Sequence, residues 1–309
     1  MRRFIRCTQE DGLAEIEQWE PHCWVIIEQP DAADVQFMLD KLKIPHDFVE
    51  SIGDPDERPR FDRDGNWLLT IIRIPLKIKS PDEAPFITVP MGIIFNGEIA
   101  LTLCYYHTKL VPDFIQHAHH RELRIDNEPD FILRLIYSST YWFLKYLKEI
   151  NDYVSHSDGI FNRSISNDQL IKLMGMQKSL VFFNTSIKGN EVLIDRMRKI
   201  YPDLYDVDLL EDVEVEIKQA ANTVDVYTDI LQGLMDSFAS IISNNVNDIM
   251  RKMTGVSIVL MFPTLIASFY GMNVTLTYGQ SPWAFWVIVV SSLLLAIILY
   301  FILKRFRWL

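Results

Sequence analysis

Hydrophobic positions in the first hundred or so residues come as short apolar runs separated by turn residues. The run Trp24–Ile27 is typical of a buried strand. The dipeptides Asp64-Gly65 and Asn96-Gly97 each lie between two such runs and predict β-hairpins. Between Pro30 and Lys43, apolar side chains share one face of a predicted helix. We therefore predict a cytoplasmic α/β domain over residues 1–125, with a largely antiparallel sheet covered by helices.

From about Asp113 the pattern becomes helical, and long helices are predicted at 129–157, 167–200 and 203–262. In the last of these, apolar residues recur at alternating steps of three and four. A period of 3.5 predicts a seam along which helices pack. No proline interrupts 203–262, so a single helix there would be about 90 Å long at roughly 1.5 Å per residue. We predict a long-helix stalk over residues 126–250. The seam residues are Ile217, Ala220, Val224, Tyr227, Leu231, Leu234, Phe238 and Ile241.

The third pattern is a stretch of 51 residues, from Met253 to Leu303, that contains no acidic residue, lysine, arginine or histidine. It predicts a two-span transmembrane domain over residues 251–309, with spans at about 254–272 and 282–303. A helix of about 20 apolar residues crosses the roughly 30 Å of hydrocarbon in a bilayer. Basic residues flank both ends of the hairpin, at 251–252 and 304–305. The positive-inside rule then places both termini in the cytoplasm and the protein in the cytoplasmic membrane.

Charge is distributed unevenly between these regions. The chain holds 30 basic and 41 acidic residues. Residues 251–309 contain five basic residues and no acid, so the first 250 carry 25 basic against 41 acidic residues, a formal charge of −16. An acidic body argues against nucleic acid as a partner and favours cations. Three scattered cysteines predict neither a disulfide framework nor a zinc site. No motif of a hydrolase, nucleotidase or metalloprotease is present, so we do not expect an enzyme.

Polar, small and thioether side chains recur along the first span at alternating steps of three and four. In lipid, a stripe of this kind must face another helix or water. It therefore indicates either a tight contact between the two spans or, if several copies surround an axis, the lining of a pore. We call these residues the polar stripe: Asn247, Met250, Thr254, Ser257, Met261, Thr264, Ser268 and Gly271.

The first span ends at the sequence Tyr270-Gly271-Met272-Asn273. Helix C-termini carry roughly half a negative charge each, and several copies would converge on this point. The side-chain carbonyl of Asn273 would add an uncharged oxygen from each copy. A ring of such oxygens can hold a hydrated cation, which suits Mg²⁺ because this ion gives up its waters reluctantly.

This motif, at the end of the first of two C-terminal spans and after a long helix, resembles the CorA family of magnesium transporters. The basic tail ending Arg307-Trp308-Leu309 strengthens the resemblance. The resemblance implies a homopentamer with a cytoplasmic funnel, in which the long helix continues as the pore-lining span. The second span would form an outer ring in contact with membrane lipid. Mg²⁺ would be both the transported and the regulatory ion.

The resemblance also implies roles for individual residues. Gly271, Met272 and Asn273 would form the selectivity mouth, with a hydrated cation at Asn273. Met253 and Met261 would lie in an apolar constriction that gates the pore by excluding water. The pore-lining and gate positions are Asn247, Met250, Met253, Ser257, Met261, Thr264 and Ser268.

The implied regulatory site binds cytoplasmic Mg²⁺ between subunits and holds the pore shut. Asp212 matches one acidic ligand of that site. Ser51 stands where a relative carries an acid on the opposing half, and Glu50 and Asp54 are near enough to substitute for it. Without the resemblance, the acids around Asp212 are typical of a solvated helix start, where carboxylates interact favourably with the helix dipole.

Two alternatives stay open at this point. The same fold could transport Co²⁺, Ni²⁺ or Zn²⁺ instead of Mg²⁺, since Met272 alone does not determine which ion passes. The hairpin could also serve only as an anchor, which would make the protein a membrane-tethered scaffold without transport.

Overall fold

A computed structural model describes residues 2–8, 12–78, 84–118, 127–158, 167–201, 204–272, 283–306 and 308. The chain divides into two compact units, Met1–Gln232 and Gly233–Leu309. The first is the α/β unit and the second is helical and apolar. One long helix belongs to both units, and the three-part division at 125 and 250 stays a prediction.

The first unit is built on a seven-stranded sheet with strand order β2-β1-β3-β7-β6-β5-β4. Among the described strands only β3 and β7 pair in parallel, so the predicted largely antiparallel sheet is confirmed. Both predicted hairpins are present, with Gly65 and Gly97 at positive φ in their turns. The strands are β1 (Arg2–Thr8), β2 (Gly12–Ile16), β3 (Trp24–Glu28), β4 (Arg60–Asp64), β5 (Trp67–Lys77), β6 (Phe86–Phe95) and β7 (Ala100–Cys104).

In the described part of the chain, seven α-helices surround or follow the sheet. The first begins in a capping box formed by Asp31 and Asp34 and continues as a π-helical turn, Phe37–Lys41. The long helices predicted at 129–157 and 167–200 are confirmed, and the third runs further than predicted. The helices are α1 (Ala32–Gln36), α2 (His46–Gly53), α3 (Leu110–Ala118), α4 (Glu128–Asp158), α5 (Asn167–Ile200), α6 (Val207–Tyr270) and α7 (Ala284–Arg305).

Alternate residues of β3 point to opposite sides of the sheet. Successive residues of this strand are buried, so both faces of the sheet are covered there. Val25 belongs to the core cluster that includes Ile52 of α2. Trp24, on the other face, packs edge-on against Phe131 of α4, with ring centroids 5.2 Å apart. Helix α2 lies close to the sheet because Gly92 has no side chain: a Cβ there would be 2.1 Å from the Cδ1 of Ile52.

Within the first unit, helix α6 packs antiparallel to α5 along the predicted seam from Ile217 to Leu231. At one end Gln177 donates to Gln232 (2.8 Å), and at the other Arg198 pairs with Glu214 (2.5 Å). Among the seam residues, Ile217, Ala220, Val224, Leu231 and Phe238 are buried, while Tyr227 and Leu234 are partly buried. The predicted seam is therefore confirmed through Phe238. Its last member, Ile241, is exposed.

Candidate ion pathway and cytoplasmic cation site

Within the described part of the chain, two helices are long and apolar enough to cross a membrane, α6 and α7. Helix α6 has 64 residues and ends at Tyr270, and α7 has 22 residues and begins at Ala284. Helix α6 therefore ends two residues before the predicted end of the first span, and α7 begins two residues after the predicted start of the second; the spans themselves stay a prediction. Asn273 lies outside the described residues, so the structure says nothing about that part of the selectivity mouth.

The chain itself covers one face of each apolar helix. Gly255 on α6 and Ser292 and Ala296 on α7 are buried, and Ile258, Val259, Phe262 and Ile266 are partly buried. We call the α6 residues of this set the shielded face. It is the side on which a single chain protects the first span.

The polar stripe lies elsewhere on α6. At about 100° per residue, Ser257, Met261, Thr264 and Ser268 are roughly opposite the shielded face. All four are exposed, as are Asn247, Met250, Met253 and Thr254. The Thr264 hydroxyl donates to Met261 O (2.7 Å), which satisfies it within its own helix. The polar stripe is therefore exposed in the single chain. This exposure argues against the alternative in which the stripe forms a tight contact between the two spans of one chain.

The span ends where a backbone turn begins. The Gly271 N–H donates to Ala267 O (3.0 Å), and the Met272 N–H donates to Phe269 O (3.4 Å). Both residues are exposed. The last carbonyls of a helix have no intrahelical donor, so this end presents partial negative charge. Gly271 and Met272 thus lie at the negative end of the helix dipole, and their role in a selectivity mouth stays a prediction.

Two of the predicted regulatory residues lie around helix α2. Glu50 is exposed and faces His46 of the same helix, with Nδ1 and Oε2 3.7 Å apart. The ligand atoms of His46, Asp47 and Glu50 lie within 4.8 Å of one another. Asp54 follows the helix end and accepts a hydrogen bond from the Asp56 N–H (2.9 Å). The structure thus brings Glu50 together with His46 and Asp47, and Asp54 belongs to the next turn.

Ser51 already has a cationic neighbour. The Nη2 of Arg60 donates to Ser51 Oγ (3.2 Å), and Arg60 also pairs closely with Glu57. A guanidinium therefore lies beside the position where the resemblance implies an acid. A metal ion bound at Ser51 itself would meet this positive charge, whereas Glu50 and Asp54 stay exposed.

Asp212 lies exposed in the second turn of α6. In the described residues, it is not part of the group formed by Glu50 with His46 and Asp47. Two of the acidic residues around Asp212, Asp206 and Glu214, have local structural roles. Asp206 accepts from the N–H groups of Asp208 (3.0 Å) and Leu209 (3.3 Å), and so caps the start of α6. Glu214 pairs with Arg198 of α5. The interpretation of these acidic residues as part of a solvated helix start is therefore confirmed for Asp206.

The junction before α6 contains a partly buried carboxyl group. Tyr201 donates its hydroxyl hydrogen to Glu128 Oε1 (2.6 Å). Burial raises the pKa of Glu128, although the hydrogen bond from Tyr201 opposes this. Burial and the same hydrogen bond raise the pKa of Tyr201, which keeps the phenol neutral. The Asp206 N–H donates to Asp130 Oδ1 (2.9 Å), so α6 begins tied to the start of α4.

Sequence reasoning missed a polar centre in the sheet, formed by Arg73 of β5 and Asn190 of α5. The Arg73 guanidinium donates to the carbonyls of Pro55 (2.5 Å) and Glu57 (3.1 Å) and to Thr88. Asn190, 1% exposed, accepts a hydrogen bond from the main-chain N–H of Arg73 and donates one to the Arg73 carbonyl. One signal was available: Arg73 is the one charged residue in the interior of the mostly apolar strand β5, which ends at Lys77.

The chain is similar in sequence to a known family and to two of its members. The family described as "CorA-like Mg2+ transporter protein" matches residues 19–305. The cobalt/magnesium transport protein CorA of Methanocaldococcus jannaschii is 24% identical over 292 residues, which cover 92% of this chain and 90% of that protein. The protein with the same name from Thermotoga maritima is 31% identical over 138 residues, 43% of this chain and 39% of that protein.

A solved structure shows the same fold over the full length. The complete structure of the CorA magnesium transporter from M. jannaschii aligns with a TM-score of 0.79 and covers 100% of this chain and 99% of that one, at 20% identity. Members of this family are transporters and not enzymes, which confirms the expectation from the motifs. The family match covers most of the chain, and the predicted resemblance is confirmed: the protein belongs to the family of CorA-like Mg²⁺ transporter proteins.

Proposed function

We propose that the protein is a channel for hydrated divalent cations, with Mg²⁺ as its principal ion, in the cytoplasmic membrane. The observation that carries this proposal is the placement of the polar stripe. Its hydroxyl, amide and thioether groups are exposed on the side of α6 that the chain leaves uncovered. In a membrane such groups must face another helix or water, and a water-filled axis between copies satisfies them.

Assembly into a ring is the second element of the proposal. Residues 239–254 of α6 are all exposed in the single chain, sixteen in succession. They include large apolar side chains such as Ile241, Val246 and Ile249. Large apolar side chains that cluster on an uncovered surface are typical of an interface with another molecule. Identical copies around one axis would cover it and bring the stripes together, and the homopentamer implied by the family is the arrangement we propose.

In this channel Gly271, Met272 and Asn273 form the outer mouth. Carbonyl and amide oxygens there hydrogen-bond the waters of the cation and carry no formal charge, so the ion is released quickly. Met253 and Met261, 67% and 65% exposed in one chain, form the apolar gate. Both termini lie in the cytoplasm, as the basic residues at 251–252 and 304–305 favour. Asp212, with Glu50 and Asp54, forms the regulatory cation site between subunits.

The test is Mg²⁺ flux into liposomes that contain the purified protein. We expect flux by the wild type and loss of most of it in Asn273→Ala, with assembly unchanged by size-exclusion chromatography. The control is Asn222→Ala, an exposed amide on the cytoplasmic part of α6. Absence of Mg²⁺-dependent flux in the wild type would refute the channel. Equal flux in Asn273→Ala and wild type would remove Asn273 from the mouth.

Competition between Mg²⁺, Co²⁺, Ni²⁺ and Zn²⁺ in the same assay decides the transported ion. The relatives from M. jannaschii and T. maritima are both named cobalt/magnesium transport proteins, which supports testing Co²⁺ first. We expect Mg²⁺ to be transported and Co²⁺ to compete with it.

A further inference from the structure

The side chain of Arg73 holds two separate segments together. Its Nη1 donates to the carbonyls of Pro55 (2.5 Å) and Glu57 (3.1 Å), in the turn between α2 and β4. Its Nη2 donates to the carbonyl (2.6 Å) and the hydroxyl (3.0 Å) of Thr88 in β6. We call residues 54–57 the acidic turn. Because the guanidinium is a rigid planar fork, it fixes the distance between this turn and the sheet.

The main chain of Arg73 is bound from the opposite element. Its N–H donates to Asn190 Oδ1 (2.9 Å), and its carbonyl accepts from Asn190 Nδ2 (2.8 Å) and from Ser139 Oγ (3.2 Å). Strand β4 pairs with β5 only from Ile71 towards Trp67, so the edge of β5 is open at Arg73. The side-chain amide of Asn190 makes the hydrogen bonds that a neighbouring strand would make here. It thereby joins this edge of β5 to α5.

Of the carboxylates in the acidic turn, that of Glu57 pairs with Arg60, whereas those of Asp54 and Asp56 do not pair with Arg73. Burial lowers the pKa of Arg73, and the nearby charges of Asp56, Asp54 and Glu57 act in the opposite direction. The guanidinium nevertheless donates to main-chain carbonyls of the turn and not to its carboxylates. Asp54 and Asp56 are exposed. Their backbone is thus held in place while their charged groups face outward.

We infer that Arg73 is the positioning residue of the regulatory cation site: it fixes the acidic turn for a divalent cation and joins that turn to α5 through Asn190. This inference rests on the proposed function, in which Asp54 belongs to the regulatory site. Arg73 does not touch the cation. A cation that orders the turn would thereby order the segment of α5 around Asn190, because both segments bind Arg73, the turn through its side chain and α5 through its main chain. Helix α5 in turn packs along α6, which contains the polar stripe.

Hydrogen exchange of the full-length protein in mild detergent tests this link, with Mg²⁺ alone as the probe. We expect Mg²⁺ to slow exchange in peptides covering 54–60 and also in those covering 186–194. Peptides covering β2 (Gly12–Ile16), which has no contact to Arg73 through these bonds, serve as the internal control. Slower exchange at 54–60 without any change at 186–194 would overturn the inference, as would no change at 54–60.

The Arg73→Lys variant keeps the charge and loses the fork, and Arg63→Lys in the neighbouring strand β4 is the matched control. We expect Arg73→Lys to raise the Mg²⁺ concentration for half-maximal protection of 54–60 by roughly tenfold, since loss of a group that orients metal ligands typically weakens binding 10- to 100-fold. The protection at 186–194 should be lost. Wild-type behaviour of Arg73→Lys at both segments would overturn the assignment.

The wild-type exchange result stands even if Arg73→Lys fails to fold, because it needs no variant. Flux through the wild-type protein is measured on the same preparation. Coupled protection without flux would refute the proposed channel and leave the role of Arg73 intact. Flux without protection at 54–60 would refute the role of Arg73 and leave the channel intact.

Discussion

Replacement of Asn190 by alanine tests the polar centre of the sheet by its effect on stability. The change removes the acceptor of the Arg73 N–H and one of two donors to the Arg73 carbonyl, which keeps Ser139 Oγ. A buried donor left without a partner costs about 1–3 kcal/mol, and a lost hydrogen bond costs about 1 kcal/mol. We therefore expect Asn190→Ala to lower the free energy of unfolding by about 2–4 kcal/mol.

The matched control is Asn184→Ala on the same helix. Asn184 donates to Asp225 (2.7 Å) on the exposed surface, where water replaces the lost partner. Both variants gain the same several tenths of a kcal/mol in helix propensity, so that effect cancels. At about 2–4 °C per kcal/mol for a unit of this size, Asn190→Ala should melt roughly 4–16 °C below wild type. Thermal unfolding in detergent, followed by circular dichroism, measures this. Equal melting temperatures of the two variants would refute the reasoning.

Two further changes test packing and pH dependence. In Gly92→Ala the new Cβ would lie 2.1 Å from Ile52 Cδ1, so overpacking should lower stability by about 1–3 kcal/mol. The control is Gly233→Ala, which has open space at its Cβ and should raise stability by up to about 1 kcal/mol. A melting temperature of Gly92→Ala at or above that of the wild type would contradict the overpacking argument. Burial raises the pKa of Glu128 above its ordinary value of 4.5, so its contribution to stability is present below that pH and is lost as the pH rises through the folded-state pKa. Glu128→Gln keeps an acceptor for Tyr201 and should gain stability relative to wild type between about pH 4 and pH 7, measured by urea unfolding; a difference independent of pH would rule out this origin.

Periodic features of the chain could be predicted from sequence because each depends on local spacing. The seam from Ile217 to Phe238 follows from the steps of three and four, and burial confirms it. The two hairpins follow from Asp64-Gly65 and Asn96-Gly97, since glycine readily adopts the positive φ that such turns need, as Gly65 and Gly97 do here. The polar stripe was visible in the same way, and its composition alone indicated that it could not face lipid.

Contacts between distant residues could not be read from spacing. Strand β3 pairs in parallel with β7, from Trp24↔Ala100 to Glu28↔Cys104, and no local pattern specifies that register. The neighbours of Glu50 and the guanidinium beside Ser51 likewise depend on how α2 and β4 meet.

The sequence by itself determined the classes of element, the membrane hairpin and the family, because hydrophobic period, uncharged length and a short motif all lie within continuous stretches of chain. Only the tertiary structure decided which face of α6 the chain covers and which it leaves exposed. It also decided that Arg73 and Asn190, 117 residues apart, complete one another's hydrogen bonds. The physical reason is that a buried polar group must find a partner wherever the fold provides one, and that partner is set by packing and not by position in the chain.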